Sequence, residues 1–174
     1  MQDIIKKLNN TILAINDFPK KGVVFRDVTP LFGDPHLVNE VIDIFVNHLK
    51  DKKIDAIVGI ESRGYLFGVP LALKLNLPFI LVRKPNKLPR PVYRQEFDLE
   101  YGSSTLEVQK DDIKPNWNVC LIDDLLATGG TINAAEKLVK MSQANVVSSL
   151  FLIELEKLNG RKNIKSEVFS ILKY

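Results

Sequence analysis

Val119-Cys120-Leu121-Ile122-Asp123-Asp124-Leu125-Leu126-Ala127-Thr128-Gly129-Gly130-Thr131 is the stretch on which the fold turns. Val119 to Ile122 are all apolar, as suits a central parallel strand covered on both faces. The pleat sends successive side chains to opposite sides, so Asp123 and Asp124 leave the end of that strand in different directions. In the Thr128-Gly129-Gly130-Thr131 turn, missing Cβ atoms let backbone N–H groups approach a ligand. A helix N-terminus behind such a turn completes an anion site. The residues therefore describe a phosphate pocket beside two acids suited to sugar hydroxyls or a metal. The plainer alternative is an Asp that caps a helix after a buried strand. Neither GxxxxGK[ST] nor GxGxxG is present, which excludes the P-loop and the dinucleotide fingerprint.

Outward from this run, strand and helix patterns alternate. Ala56 to Ile60 reads as a buried strand with Glu61-Ser62-Arg63-Gly64 as its exit, followed by a helical stretch over 65–75. Pro78 to Val82 reads as a second strand, running directly into Arg83-Lys84-Pro85-Asn86-Lys87. Residues 90–109 are polar, with alternation around Thr105-Leu106-Glu107-Val108, and predict an antiparallel hairpin outside the main sheet. The opening strand covers 118–122, its helix 130–142, and a further strand runs from Val146 to Ile153. Strands separated by helical segments argue for parallel pairing through right-handed crossovers. The expectation is one doubly wound α/β domain over 1–174, its mostly parallel sheet flanked by helices. It carries a small N-terminal hood over 1–35 and a flexible loop-hairpin excursion over 83–110.

The N-terminal part is read from spacing as well. Ile4, Ile5, Leu8, Ile12 and Leu13 follow a helical period, and a turn cluster follows at Asp17 to Gly22. Val23 to Val28 suits a strand or an extended segment, and Leu37 to Leu49 an amphipathic helix with Asp34 or His36 near its start.

Size and charge bound the function. A chain of 174 residues suits one domain, and 45% hydrophobic residues is ordinary for a globular protein. Against 21 acidic residues stand 24 basic ones, a net charge of +3 that favours an anionic ligand without the clustered basic face of a nucleic-acid binder. Cys120, the one cysteine, sits inside the apolar strand as a small hydrophobe and cannot form an internal disulfide. No stretch approaches 18 apolar residues and the first residues lack a signal-type apolar run, so the expectation is a cytoplasmic protein without a membrane span. His36 and His48 have no partner motif, and no histidine metal site is expected.

In doubly wound sheets ligands bind beyond the carboxyl ends of the strands. The loops 61–64, 83–89 and 123–131 all fall there. Arg63 suits a two-point grip on phosphate oxygens, and the cations of 83–87 would serve a second phosphate-type group. The plainer alternatives are a surface Arg after a helix cap and a solvated charge run. Phe97 to Gly102, with Glu100 and Tyr101, is a polar segment able to close over a site, or an ordinary solvent hairpin. Phe25 suits a core position or stacking on a planar base.

The opening motif resembles the phosphoribosyl pyrophosphate (PRPP) signature of the type I phosphoribosyltransferases. Phe18-Pro19 through Phe25-Arg26-Asp27-Val28-Thr29-Pro30-Leu31, Glu61-Ser62-Arg63-Gly64, Arg83-Lys84-Pro85, Leu99-Glu100-Tyr101-Gly102 and Leu158-Asn159-Gly160-Arg161 extend the likeness over nearly the whole chain. The 18–31 and 99–102 segments resemble the adenine branch. That resemblance implies transfer of a 5-phosphoribosyl group from PRPP to adenine, giving AMP and pyrophosphate in purine salvage. It further implies a homodimer and Mg2+ held mainly through PRPP or also by Asp123 and Asp124; from the apolar runs and the charge balance, no membrane and no nucleic-acid partner are expected.

By position, the resemblance places Asp123 and Asp124 at the ribose hydroxyls. It places Ala127, Thr128, Gly129, Gly130 and Thr131 at the 5′-phosphate. Ser62, Arg63 and Gly64 match the pyrophosphate loop, with Arg83, Lys84 and Lys87 adding charge. Val24, Phe25 and Arg26 match the adenine hood, Leu155 its opposing face, and Glu100 and Tyr101 the flexible catalytic loop. The catalytic set is then Glu100, Tyr101, Asp123, Asp124 and Arg63. The sequence departs from the family pattern at Asn86, where a Gly is common, and at Glu156-Lys157, which is more charged than usual. Specificity for xanthine or guanine is the alternative within the same class, and a PRPP-sensing nucleic-acid-binding regulator the alternative outside it.

Overall fold

The computed structural model describes residues 2–98 and 103–174, with Asp98 by its backbone alone. The chain forms two compact units, Met1–Asn47 and His48–Tyr174.

In the first unit, α1 (Gln2–Thr11) buries Ile4 and Leu8, one turn apart. The chain then leaves the helix. Leu13, placed by its spacing on the helix, instead opens β1 (Leu13–Asn16), which pairs antiparallel with β2 (Val24–Asp27). Leu13-Ala14-Ile15 satisfies a two-residue period as well as a helical one, and cross-strand pairing with β2 settles it. The turn between them uses Asp17 at φ 57° and Gly22 at φ 85°, tied by a 2.7 Å hydrogen bond from the Gly22 N–H to the Asp17 carboxylate. A short 3-10 turn (Thr29–Gly33) leads to α2 (Pro35–Leu49). Asp34 caps this helix: its Oδ1 accepts from the N–H groups of His36 at 3.0 Å and Leu37 at 3.1 Å.

The second unit is built on a five-stranded parallel sheet flanked by helices. Its strands are β3 (Ala56–Ile60), β4 (Phe79–Val82), β7 (Asn118–Leu126), β8 (Asn145–Glu154) and β9 (Glu167–Lys173), in the order β4-β3-β7-β8-β9. All four neighbouring pairs run parallel. Between β4 and β7 the chain makes the hairpin β5 (Val92–Asp98) and β6 (Ser103–Gln109), a separate two-stranded sheet. The expected fold class is what the chain adopts; β9 is an addition that the sequence reading did not contain. Its half-exposed residues carry a weaker apolar signal than the fully buried β3.

Two connections within the parallel sheet are α-helical. α3 (Arg63–Leu75) links β3 to β4, and α4 (Gly130–Met141) links β7 to β8. From β3 the chain winds outward to β4, whereas from β7 it winds the other way to β8. The strand order therefore reverses between β3 and β7, and the ends of these two strands are the topological switch point.

Side-chain size sets how closely α3 lies on the sheet. Gly64, in its first turn, sits where a Cβ would come within 2.5 Å of the Ile122 carbonyl oxygen and 3.3 Å of Asp123 Oδ1. Gly68 and Gly59 leave room for the Phe79 ring, which stands edge-on to Tyr65 at 5.7 Å between centroids. Phe67, fully buried on the same helix, contributes about 1.5–3 kcal/mol through burial of its ring.

Gly64→Ala should therefore lower the stability of the folded chain by about 1–3 kcal/mol, because the obstacle is a backbone carbonyl that cannot swing aside. Urea denaturation checks this: the midpoint should fall with an unchanged slope. An unshifted midpoint would show that α3 can move off β7 at no penalty.

Candidate active site

A cleft of about 560 Å³ opens at the switch point. One wall is the exit from β3, with Glu61, Ser62 and Arg63; the other is the run from Asp123 to Gly129 with Thr131. Lys84 contributes from the loop after β4, and Phe97, Ser104 and Leu106 from the hairpin.

The two walls share a feature. Ser62 and Gly129 are the residues ahead of α3 and α4, and neither makes a side-chain capping bond. Gly129 has φ 83°, a left-handed conformation that a glycine adopts without strain. Neither helix carries an acid in its first turn. Two helix N-termini, with their outward N–H groups and positive dipole ends, thus face one cleft. Such ends favour anions, and two of them suit a ligand with two separated phosphate groups.

Between these ends lie the carboxylates. β7 does not stop at Ile122 as its apolar run suggested. It continues to Leu126, with Asp123 paired to Phe151 and Leu125 to Ile153. The ladder with β8 goes on past the acids, so Asp123 and Asp124 are held by a strand and not by a loop. Asp124 is only 3% exposed, and its N–H donates to Asp123 Oδ1 at 2.9 Å. Arg63 Nε lies 2.8 Å from Asp124 Oδ2, yet that oxygen accepts no aligned hydrogen bond. The contact is a close ion pair whose geometry leaves an acceptor lobe on Oδ2 unused.

Burial raises the pKa of both acids. For Asp123 the charge on Asp124 adds to burial, and its carboxyl lies well above the ordinary range. For Asp124 burial again dominates, and the Arg63 guanidinium partly offsets it. Among the described residues no cluster of three or more His, Cys, Asp or Glu is arranged to hold a metal. The pair supplies two carboxylates, which suits a hard cation that takes its other oxygens from a bound substrate and water.

Of the residues expected at the phosphate groups, Ser62, Arg63, Lys84, Ala127, Thr128, Gly129 and Thr131 line the cleft together with both acids. Gly64 and Gly130 sit behind it, in the first turns of α3 and α4. Arg83 and Lys87 do not line it. The Arg83 guanidinium points to Glu61, with Nε 3.3 Å from Oε2, and to the Lys87 carbonyl at 3.2 Å. Leu155 follows β8 and donates its N–H to the Leu126 carbonyl at 2.9 Å. Val24, Phe25 and Arg26 lie on β2 of the first unit, where the Phe25 ring meets Phe18 edge-on at 5.1 Å. Glu100 and Tyr101 lie outside the described residues.

Two carboxylates escaped the sequence reading as organisers of the cationic loop. Glu61 accepts from the Lys84 N–H at 2.7 Å as well as from Arg83. Burial opposes its charge, but those two donors outweigh it and hold the carboxyl below the usual range. Glu107, only 1% exposed, accepts from Arg94 at 2.5 Å and from the Asn86 N–H at 3.2 Å. Glu107 is the charged position in the 105–108 alternation, the kind that a half-buried strand turns toward water. Arg94 and the loop cover it instead. Asn86 itself has φ 64°, a conformation that Gly and Asn both tolerate, which accounts for a residue other than Gly there. The one available signal for Glu61 was its place directly after the β3 run.

The raised carboxyl of Asp123 makes stability depend on pH in a defined sense. The folded chain keeps a proton that the unfolded chain releases near its ordinary value of 3.8, so this group penalises folding increasingly as pH rises above that value. Asp123→Asn keeps the acceptor for the Asp124 N–H and removes the charge. The variant should melt above the parent at pH 8, and the gap should close toward pH 4.5. Thermal midpoints across that range check it; a gap independent of pH would sink the assignment.

Comparison with known proteins identifies the family. Residues 29–173 match the model of the phosphoribosyl transferase domain. An adenine phosphoribosyltransferase of Ureaplasma parvum serovar 3 is 50% identical over 170 residues, covering 98% of each chain. Among solved structures, the adenine phosphoribosyltransferase of Thermoanaerobacter pseudethanolicus superposes with a TM-score of 0.95 at 43% identity, over 98% of this chain and 99% of that one. The Saccharomyces cerevisiae enzyme, complexed with an imino-altritol bisphosphate and adenine, does so with a TM-score of 0.94 at 40% identity, again over 98% and 99%. The chain belongs to the phosphoribosyltransferase family.

Proposed function

We propose that this protein is an adenine phosphoribosyltransferase: it transfers the 5-phosphoribosyl group of PRPP to adenine, releasing AMP and pyrophosphate. The observation that carries the reading is the pair of uncapped helix N-termini facing one cleft on either side of two carboxylates. PRPP has the matching order of groups, a monophosphate and a pyrophosphate joined by a hydroxyl-bearing ribose. The half-identical relatives that bear the adenine activity choose the base.

The residue roles follow from charge flow. As the bond from the anomeric carbon to the pyrophosphate oxygen breaks, the ribose gains positive charge and the leaving group negative charge. A ring nitrogen of adenine then bonds to that carbon and gives up its proton. Ala127 to Thr131 hold the 5′-phosphate with backbone N–H groups. Asp123 and Asp124 accept from the ribose hydroxyls and tolerate the developing sugar cation. Ser62, Arg63, Gly64 and Lys84 receive the pyrophosphate, and their preorganised donors stabilise its growing charge without reorienting. Arg83 and Lys87 add positive field from the adjoining loop.

For the base, the resemblance over 18–31 supports Val24, Phe25 and Arg26, with Leu155. For proton handling and exclusion of water it supports Glu100 and Tyr101. The donor chemistry of the acid pair fits Mg2+ arriving with PRPP. When bound, the metal supplies charge neutralisation for the pyrophosphate and ribose oxygens. A homodimer and a cytoplasmic location are proposed on the same resemblance. Among the described residues no helix is long and apolar enough to cross a membrane.

A panel of bases with PRPP and Mg2+ tests the reading: adenine should give AMP. Turnover of guanine or xanthine with none of adenine would move the chain to another branch. Converting Asp123 and Asp124 together to Asn should lower turnover by orders of magnitude while the fold persists by circular dichroism. Glu100→Ala should lower kcat more than it weakens PRPP binding; an equal loss in both would assign Glu100 to binding.

A further inference from the structure

Leu158-Asn159-Gly160-Arg161 has no role in the chemistry above, yet its continuation lies directly behind the phosphate loop. The short 3-10 turn Gly160–Asn163 packs there so closely that both contacting residues must be glycine. A Cβ on Gly129 would collide with the Gly160 carbonyl oxygen, and a Cβ on Gly160 would collide with the Ala127 carbonyl oxygen. This contact places Asn163 within reach of the loop. Its Nδ2 donates to the Thr128 carbonyl at 2.8 Å, while its own carbonyl accepts from Asn133 Nδ2, on α4, at 2.6 Å.

The turn is itself anchored. Arg161 grips Glu154 with two hydrogen bonds of 2.6 Å and donates to the Val168 carbonyl at 2.9 Å. On α4, the Glu136 carboxylate accepts from the N–H groups of Lys165 at 3.1 Å and Ser166 at 2.8 Å. The brace thus runs from the β8–β9 edge, through Asn163, to the loop and helix that line the cleft.

We infer that Asn163 is a positioning residue for the phosphate end of the substrate, an assignment that rests on the proposed phosphoribosyl transfer. The C=O and N–H of a peptide share one plane, so holding Thr128 O fixes the orientation of the Gly129 N–H. Gly129 and Gly130 lack side chains to restrict that peptide, and restraint from outside the loop replaces what their sequence omits. An Asn suits the position because the task is to donate to a carbonyl, which an ionised Asp cannot do.

The test uses the full chain with Asn163→Ala and Asn163→Asp, thermal midpoints being recorded for each. The 5′-phosphate passes unchanged from PRPP to AMP, so its loosening should act on binding more than on the chemical step. In both variants KM for PRPP and Kd for AMP should rise about three- to tenfold, with kcat within about twofold. Pyrophosphate affinity, read at the other helix end, should stay at the parent value. Unchanged AMP binding in both variants overturns the inference, and so does equal weakening for AMP and pyrophosphate, which marks general loosening. Failure of the parent chain to turn over any base is a separate result against the proposed function; ribose 5-phosphate binding by the parent and the two variants then still reads the brace.

Discussion

Two adjacent carboxyl groups on the central strand, Asp124 buried and Asp123 half-buried, set the terms for everything around them. Burying a charge is unfavourable unless it is paired or neutralised, and two such charges side by side aggravate each other. The surroundings respond within the limits of the fold. Arg63 comes in from α3 as a partner for Asp124, and the Asp124 N–H turns to Asp123. The remaining imbalance is left standing, in raised carboxyl pKa values and an oxygen without an aligned donor. A binding site keeps such a residue of unfavourable energy because a ligand relieves it. In the proposed reaction, ribose hydroxyls or a cation brought with PRPP would supply what the protein withholds.

The geometry that creates this tension is topological. The chain winds in opposite directions from β3 and β7, so no crossover helix covers the gap beyond their ends. Both α3 and α4 begin at that gap, which brings their positive ends to bear on the same space. Close approach of α3 depends on Gly64, whose missing Cβ lets the helix start directly on the Ile122 carbonyl. The loop before α4 depends equally on Gly129 and Gly160. Small residues at three positions therefore decide how near the backbone donors stand to the acids.

Around this centre, acids and cations sort into two roles. Asp123, Asp124, Arg63 and Lys84 line the cleft, while Glu107 and Arg83 hold the cationic loop from behind, and Glu61 does both, lining the cleft and accepting from Arg83 and Lys84. A guanidinium engaged by a neighbouring carboxylate adds field at longer range and fixes the loop, without offering its donors to the cleft. The single charge run over 83–87 thus divides into one lining side chain, Lys84, and supporting ones, a distinction that composition does not contain.

The local pattern by itself determined the α/β class, the placement of β3, β4 and β8 to within a residue or two, the antiparallel hairpin, and the loops that meet at the cleft. Apolar runs and glycine turns encode these directly, because burial and backbone freedom are properties of each residue in its immediate neighbourhood. The PRPP-type motif was legible for the same reason: its donors and acids are consecutive. Tertiary structure alone decided the rest. β7 runs on through the acids because β8 lies beside it to pair with; Leu13 joins a strand because β2 is there; and Glu107 is buried because Arg94 and Asn86 close over it. Asn163 meets Thr128 across 35 residues of chain. Such outcomes depend on partners distant in sequence, and no local period carries information about where those partners will be.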